Sequence, residues 1–323
     1  MVGDTSGINE TNDYHWTRWL EIRMEYSAEI STSLARESEH ATAFTTEKTG
    51  IQLAVMSFNM RREGLDRNDN EWTYRKDGVV EIIRRADPII VGTQEANSAM
   101  LNYLARELPV YDWIGVNRSN AAGDEFSGAI LYRTYILQVV AAGQFWLSET
   151  PNIPGSRFPG TIHPRLANWA RFRVRACNAE FVFCSTHLDH SSQAAREFGA
   201  SMIREHIAEQ RKCLGLSVIL AGDMNAEPTN SAIRKLQFAE DGTELLHDAA
   251  DWLRSRGEDM GTTFHGFKGG ARGLPIDYIF YTEGLEVGSF SRITDQVNGR
   301  YPSDHYPIVA KFILKGATCS GAL

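Results

Sequence analysis

Residues 218–225, V-I-L-A-G-D-M-N, constrain the fold of this chain more than any other stretch. The apolar and small run Val218, Ile219, Leu220, Ala221, Gly222 reads as a core strand. A carboxylate and a carboxamide, Asp223 and Asn225, follow two positions apart. Residues two apart on a strand share a face. A strand continued through Asn225 would therefore aim both groups into one pocket and turn Met224 away, with Pro228 limiting further regular pairing. Strand-end Asp and Asn residues are most often turn formers. The pair gains meaning only from what the other strand ends carry.

The rest of the chain supplies such ends in an order that mixes strands and helices. Strands are expected at about 52–58, ending on Asn59, and at 89–93, ending on Gln94-Glu95, with helices at about 74–85 and 98–108 between and after them. Strand-like runs follow at 111–116, 128–132, 138–146, 168–174 and 181–186, and the loop 151–164 is long enough to wall a substrate site. The run 181–186 leads into His187-Leu188-Asp189-His190, and Ser191 or Ser192 caps a helix that stops before Gly215. After 218–225 come helical stretches near 231–238 and 245–254, a Gly-rich loop at 264–273, a strand at 276–280 with Asp277 near its start, and Asp304-His305 before a strand at 306–313. Alternating strands and helices early, then strands in succession, predict an α/β fold with mixed sheets.

At 323 residues, with 42% hydrophobic and 23% charged, the chain has the composition of a soluble globular protein whose bulk fits one large α/β domain. Residues 1–50 differ in composition, and Trp19, Ile22, Tyr26, Ile30 and Leu34 fall on one helical face, an amphipathic helix for packing in cis or for an oligomer contact. A net charge of −8 disfavours electrostatic gripping of duplex nucleic acid, while small phosphorylated substrates remain allowed if a cation neutralises the acidic pocket. The four cysteines, Cys177, Cys184, Cys213 and Cys319, have no paired spacing and read as free thiols. Neither a signal peptide nor a membrane span is visible, so a cytoplasmic location is expected.

Polar groups thus stand at or beside six expected strand ends: Asn59, Glu95, His187, Asp223 with Asn225, Asp277, and Asp304 with His305. Carboxylates and carboxamides without a cysteine cluster suit a hard cation such as Mg²⁺ or Mn²⁺, and two histidines among acids suit hydrolysis. The ordered motifs S-F-N-M-R, T-Q-E, S-T-H-L-D-H, G-D-M-N, I-D-Y-I-F and S-D-H-Y-P resemble those of the endonuclease/exonuclease/phosphatase superfamily, and are most similar to its bacterial-type metal-dependent hydrolases.

The resemblance implies a four-layered α/β sandwich of two mixed β-sheets flanked by helices (deoxyribonuclease I-like), with a catalytic domain over 51–314, an N-terminal extension over 1–50 and a tail over 315–323. It implies Glu95 as the main Mg²⁺ ligand, with Asn59 and Asp304 assisting and Mn²⁺ a plausible substitute. His305 oriented by Asp277 would be the base or would pair with the phosphate; Asp223 would orient or deprotonate the attacking water; Asn225 would hold a phosphate oxygen; His187 would stabilise the transition state or protonate the leaving group.

Arg75, Arg165, Asp189, His190 and Arg196 are candidate substrate contacts, and Trp72, Trp169 and Phe267 candidate pocket walls. The expected activity is Mg²⁺-dependent hydrolysis of a phosphodiester or phosphomonoester in a small or medium organic phosphate. The rival is a nuclease acting on single-stranded nucleic acid. A non-catalytic binding module on the same fold is disfavoured because every expected group is present.

Overall fold

A computed structural model describes residues 50–118 and 128–315. The expected N-terminal amphipathic helix and almost all of the C-terminal tail lie outside the described residues. The first half gives β1 (Gly50–Asn59), α1 (Trp72–Ala86), β2 (Ile90–Gln94), α2 (Ser98–Glu107), β3 (Tyr111–Ile114), β4 (Ile130–Arg133), β5 (Leu137–Trp146) and β6 (Leu166–Val174). The second half gives β7 (Glu180–His187), α3 (Gln193–Leu214), β8 (Val218–Asp223), α4 (Ser231–Gln237), β9 (His247–Asp248), α5 (Asp251–Arg254), β10 (Asp277–Tyr281), β11 (Leu285–Arg292) and β12 (Ile308–Lys315).

These strands form two mixed six-stranded sheets, in the orders β11-β12-β1-β2-β4-β3 and β5-β6-β7-β8-β10-β9. Each sheet has one parallel pair, β1 with β2 and β7 with β8. A parallel pair needs a crossover, and the two intervening helices α1 and α3 supply it. Local chemistry fixes their ends. Asn97 caps α2 by accepting the amide of Met100 at 2.9 Å, Ser192 caps α3 by accepting that of Ala195 at 3.2 Å, and Gly215 closes α3 in a left-handed conformation at φ 67°.

Alternation along the strands builds the layers. Met56, Phe58 and Val91 pack with α1 and α2 in one core; Val182, Cys184, Val218, Leu220, Tyr278 and Phe280 pack with α3 and α4 in another. The residues between them in sequence face the opposite sheet. At Gly92 the sheets come so close that an added Cβ would lie 3.0 Å from Ser185 Oγ and 3.1 Å from the Ala221 Cβ. Helix, sheet, sheet, helix is therefore the layer order, the four-layered sandwich expected from the motifs. Among the described residues no helix is long and apolar enough to cross a membrane.

Two expectations need correction. The stretch 245–254 is not one helix: Asp248 is drawn into β9 by pairing with Phe280, which leaves only the short α5. Strand β11 went unexpected in sequence, because its exposed, Ser- and Glu-containing face lacks an apolar run; pairing with β12 forms it.

Candidate active site

The stripe that faces the opposite sheet ends, on each of four central strands, in a polar residue. Leu53, Val55 and Ser57 lead to Asn59 on β1; Phe183 and Ser185 lead to His187 on β7; Ile219 and Ala221 lead to Asp223 on β8; Ile279 is preceded by Asp277 on β10. Parity alone puts these four at one margin of the inter-sheet layer. Register then aligns them: Asp223 pairs with His187 on one side and with Asp277 on the other. Asn59 closes the gap between sheets, donating from Nδ2 to Glu95 Oε1 at 3.1 Å and to Asp223 Oδ2 at 3.0 Å.

Asn225 reaches the same place by another route than the one expected. Strand β8 stops at Asp223, and Asn225 sits in a left-handed turn at φ 46°, its amide donating to Asp223 Oδ1 at 2.8 Å. The turn, and not a continued pleat, swings its side chain back so that Nδ2 lies 2.9 Å from His187 Nε2 and donates to Leu188 O at 3.1 Å. Met224 is turned away and fully buried in the core under α3 and α4, as the alternation predicts. Glu95 likewise follows its strand in a left-handed turn at φ 62°.

Asp304 and His305 come from the loop before β12. Ser303 Oγ donates to Asn59 O at 2.7 Å, tying that loop to the end of β1, and Asp277 Oδ2 lies 2.8 Å from His305 Nδ1. His305 Nε2 stands 3.8 Å and His187 Nε2 3.4 Å from Asp223 Oδ2. The structure thus brings together Asn59, Glu95, His187, Asp223, Asn225, Asp277, Asp304 and His305.

Their charge states diverge although they are neighbours. Burial opposes charge on His305, but Asp277, Asp223 and Asp304 overcome it and hold its pKa up at about 10. His187 is held far below the ordinary imidazole value, first by burial and then by Arg165, His305 and Arg118, so it is neutral. Burial and the adjacent Asp277 raise Asp223 to about 7, against the pull of His305. Burial also works against ionisation of Glu95, yet the Asn59 amide, His305, the Arg62 backbone N–H and Arg61 lower its pKa on balance. Asp304 is raised, by burial above all and also by Glu95. Asp223, Asp277 and His305 offer donor atoms all within 4.8 Å of one another, but there the protonated imidazole already serves as the cation between two carboxylates. Glu95 and Asp304 instead set two carboxylates against each other, and all-oxygen donors of this kind fit a hard divalent ion.

Glu95, His187, Asp223, Asn225, Asp304 and His305 open on a cleft of about 440 Å³, which Arg61, Arg62, Arg118, His163, Arg165 and His190 also line. Of the candidate substrate contacts, Arg165 and His190 lie on its wall, with Arg165 Nη2 3.4 Å from His190 Nδ1. The others lie elsewhere. Arg75 is 1% exposed and donates to Asn70 O, Met60 O, Pro302 O and Arg61 O, a strut rather than a ligand of substrate. Trp72 packs against that guanidinium and against Tyr103. Asp189 Oδ1 accepts the amides of Ser191 and Ser192 at the start of α3, and Arg196 braces the same turn through Asp189 O. Trp169 faces α3, its ring centroid 5.7 Å from that of His206, because its neighbour Asn168 takes the inner face of β6. Phe267 covers Arg75; among the described residues Phe264, 5.0 Å from the His305 ring and 48% exposed, is the phenyl ring on the cleft.

Sequence reasoning missed Arg61, Arg118, His163 and Phe264. Arg61 stands within the S-F-N-M-R motif and Phe264 heads the Gly-rich loop 264–273, so both had a signal. Arg118 lies in a loop with none; His163 lies in the loop 151–164 expected to wall a substrate site, though nothing in the sequence singled out this residue within it, and only the meeting of β3, β5 and β6 brings the two to the cleft.

A helix-flanked pair of mixed sheets with its polar strand ends on one margin defines the deoxyribonuclease I-like class of hydrolases. Within that class the chain belongs to the Endonuclease/Exonuclease/phosphatase family, whose model matches residues 56–305, and it is accordingly a phosphoric ester hydrolase. Solved structures agree. An endonuclease/exonuclease/phosphatase family protein from Bacteroides thetaiotaomicron is 29% identical with a TM-score of 0.73, covering 82% of this chain and 98% of that one. A mannosyl-6-phosphatase from the same species is 29% identical with a TM-score of 0.72, over 81% of this chain and 99% of that one. The human Nocturnin catalytic domain shares the fold at 20% identity and a TM-score of 0.64, over 83% and 95% of the two chains. No curated protein matches the sequence.

Proposed function

We propose that the protein is a Mg²⁺-dependent phosphoesterase that hydrolyses a small organic phosphate, a sugar-like phosphomonoester foremost. The observation that carries this reading is the pairing, across one cleft, of the carboxylates Glu95 and Asp304 with neutral His187, Asn225 and charged His305. Glu95 and Asp304 would hold the ion, with Asn59 keeping Glu95 and Asp223 in place through its Nδ2. When bound, the cation would offset charge on the phosphoryl oxygens and the leaving group. Asn225 is placed to donate to a nonbridging oxygen, and His305, kept protonated by Asp277, to supply a fixed positive hydrogen-bond donor where charge develops. Asp223, between the two histidines, is the acceptor for the proton of the attacking water. A cleft of about 440 Å³ matches a metabolite-sized ligand. The mannosyl-6-phosphatase likeness supports a sugar phosphate. The exposed Phe264 ring would also stack on a nucleobase, which keeps single-stranded nucleic acid as the second reading.

The test compares p-nitrophenyl phosphate, bis-p-nitrophenyl phosphate, mannose 6-phosphate and single-stranded DNA, each with Mg²⁺, Mn²⁺ and EDTA, for the wild type and His305→Ala. Metal-dependent turnover of the monoesters that is lost in the variant is the expected result. Cleavage of DNA alone would replace this reading with the nuclease.

A further inference from the structure

The charges around the cleft fall into two groups. Arg61 and His305 act on both Glu95 and Asp304, and Asp66 on Asp304. His163 feels burial first and then Arg118, Arg165, His190 and Arg62, and all five of these basic residues line the cleft. His187, whose pKa is depressed first by burial and then by Arg165, His305, Arg118 and His190, marks the boundary.

The basic flank rests on a fixed backbone. Trp146 Nε1 donates to Arg118 O at 2.8 Å, Leu147 N donates to Arg165 O at 2.7 Å, and Val116 N donates to Asn168 Oδ1 at 3.3 Å. Arg165 immediately precedes β6 and His190 closely follows β7, and the antiparallel pairing of these strands puts both residues at one sheet edge. The His163 and His190 rings stand 6.1 Å apart, and Arg118 and Arg165 are only 5% and 6% exposed. Guanidiniums held this deeply on anchored backbone lose little freedom on meeting an anion, unlike arginines on an open surface. Asp189 also stands on this flank: its Oδ1 accepts the amides of Ser191 and Ser192, and against burial those bonds and then the Arg165 charge lower its pKa.

We propose that this flank is a second anion subsite, which holds a further phosphate or carboxylate of the same small substrate while the scissile phosphate lies against Glu95, Asp304, His187 and Asn225. The inference rests on the phosphoesterase reading above and narrows its substrate to a small molecule with two anionic groups.

The experiment measures phosphate release from glucose 6-phosphate, glucose 1,6-bisphosphate and 6-phosphogluconate by the full chain with Mg²⁺, as a function of ionic strength. A charge-assisted contact predicts kcat/KM about 10- to 100-fold higher for a dianionic-plus-anionic substrate than for the monophosphate, carried by KM and weakened by salt. The bisphosphate and the phosphogluconate arms tell a phosphate from a carboxylate subsite. Arg165→Met should collapse the ratio and Arg165→Lys restore part of it, with His163→Gln as a second variant should Arg165→Met not fold.

Calorimetry with butylphosphonate and 1,4-butanediphosphonate supplies a readout without turnover, in which the diphosphonate binds more tightly than the about two-fold its two ends give statistically. Equal kcat/KM for all three sugars, or an equal loss for all three in Arg165→Met, assigns these side chains to the scissile phosphate and overturns the inference. Absence of hydrolysis on every sugar refutes the substrate reading of the function instead, and the diphosphonate then decides the subsite: no tighter binding overturns it.

Discussion

Arg75→Met should be the costliest single change outside the catalytic groups. The Arg75 guanidinium donates to Met60 O at 2.9 Å, Pro302 O at 2.7 Å, Arg61 O at 2.8 Å and Asn70 O at 2.7 Å, joining the loop that leaves β1 to the loop that carries Asp304 and His305. Burial pushes its pKa down to about 10, partly countered by Asp304 and Asp66. Methionine fills much of the space but donates nothing. The bonds to Met60 O and Pro302 O are fully buried, and each orphaned carbonyl costs ~1–3 kcal/mol. The two part-buried carbonyls can rehydrate and add about 1 kcal/mol together. Relief of guanidinium desolvation returns roughly 1–2 kcal/mol. The net loss centres on about 3.5 kcal/mol, equivalent to a fall in Tm of roughly 7–14 °C in a domain of this size. Urea unfolding and calorimetry of the wild type, Arg75→Met and Arg75→Lys measure it, and lysine, with one ammonium for four acceptors, should recover about half. A loss below about 1 kcal/mol for Arg75→Met would refute the strut.

Other outcomes follow from single contacts. Of the described thiols, Cys213 is exposed and Cys184 is buried with its pKa pushed up to about 12, so iodoacetamide at pH 8 should label Cys213 in the native protein and leave Cys184 untouched, by peptide mass. Gly128→Ala would put a Cβ 2.4 Å from Ser185 O and 2.8 Å from Thr186 N, both backbone, and should cost more than about 2 kcal/mol in urea unfolding. Gly160→Ala, at φ 80° with nothing within 4 Å, should cost only about 1 kcal/mol, for backbone strain alone. Burial depresses the pKa of His206, packed between Phe145 and Trp169, and that of His265, to about 4 for the latter. The unfolded chain takes up protons near pH 6.5 that the folded chain refuses, so stability falls as pH drops through 6.5, and for His265 the loss is complete near pH 4 and amounts to at most about 3 kcal/mol. Denaturation midpoints at pH 7.5, 5.5 and 4 test this, and His206→Leu should flatten part of the slope.

By itself the sequence determined the layer architecture and the margin on which the site forms. Strand parity is a local property: once Val55, Phe183, Ala221 and Ile279 face inward, Asn59, His187, Asp223 and Asp277 must share that face at the strand ends. Motif order added Glu95, Asp304 and His305. Tertiary structure decided what parity cannot reach. Asn225 and Glu95 arrive through left-handed turns that a strand pattern does not announce. An arginine looks the same in sequence whether it meets four carbonyls, as Arg75 does, or lines the cleft, as Arg165 does. Trp169 and Phe264 are aromatic alike, but the inner side of β6 is taken by Asn168, while the bridge from Phe264 to His305 holds its ring over the cleft. Roles of this kind are set by contacts between segments far apart in the chain, and such contacts exist only once both sheets have closed on each other.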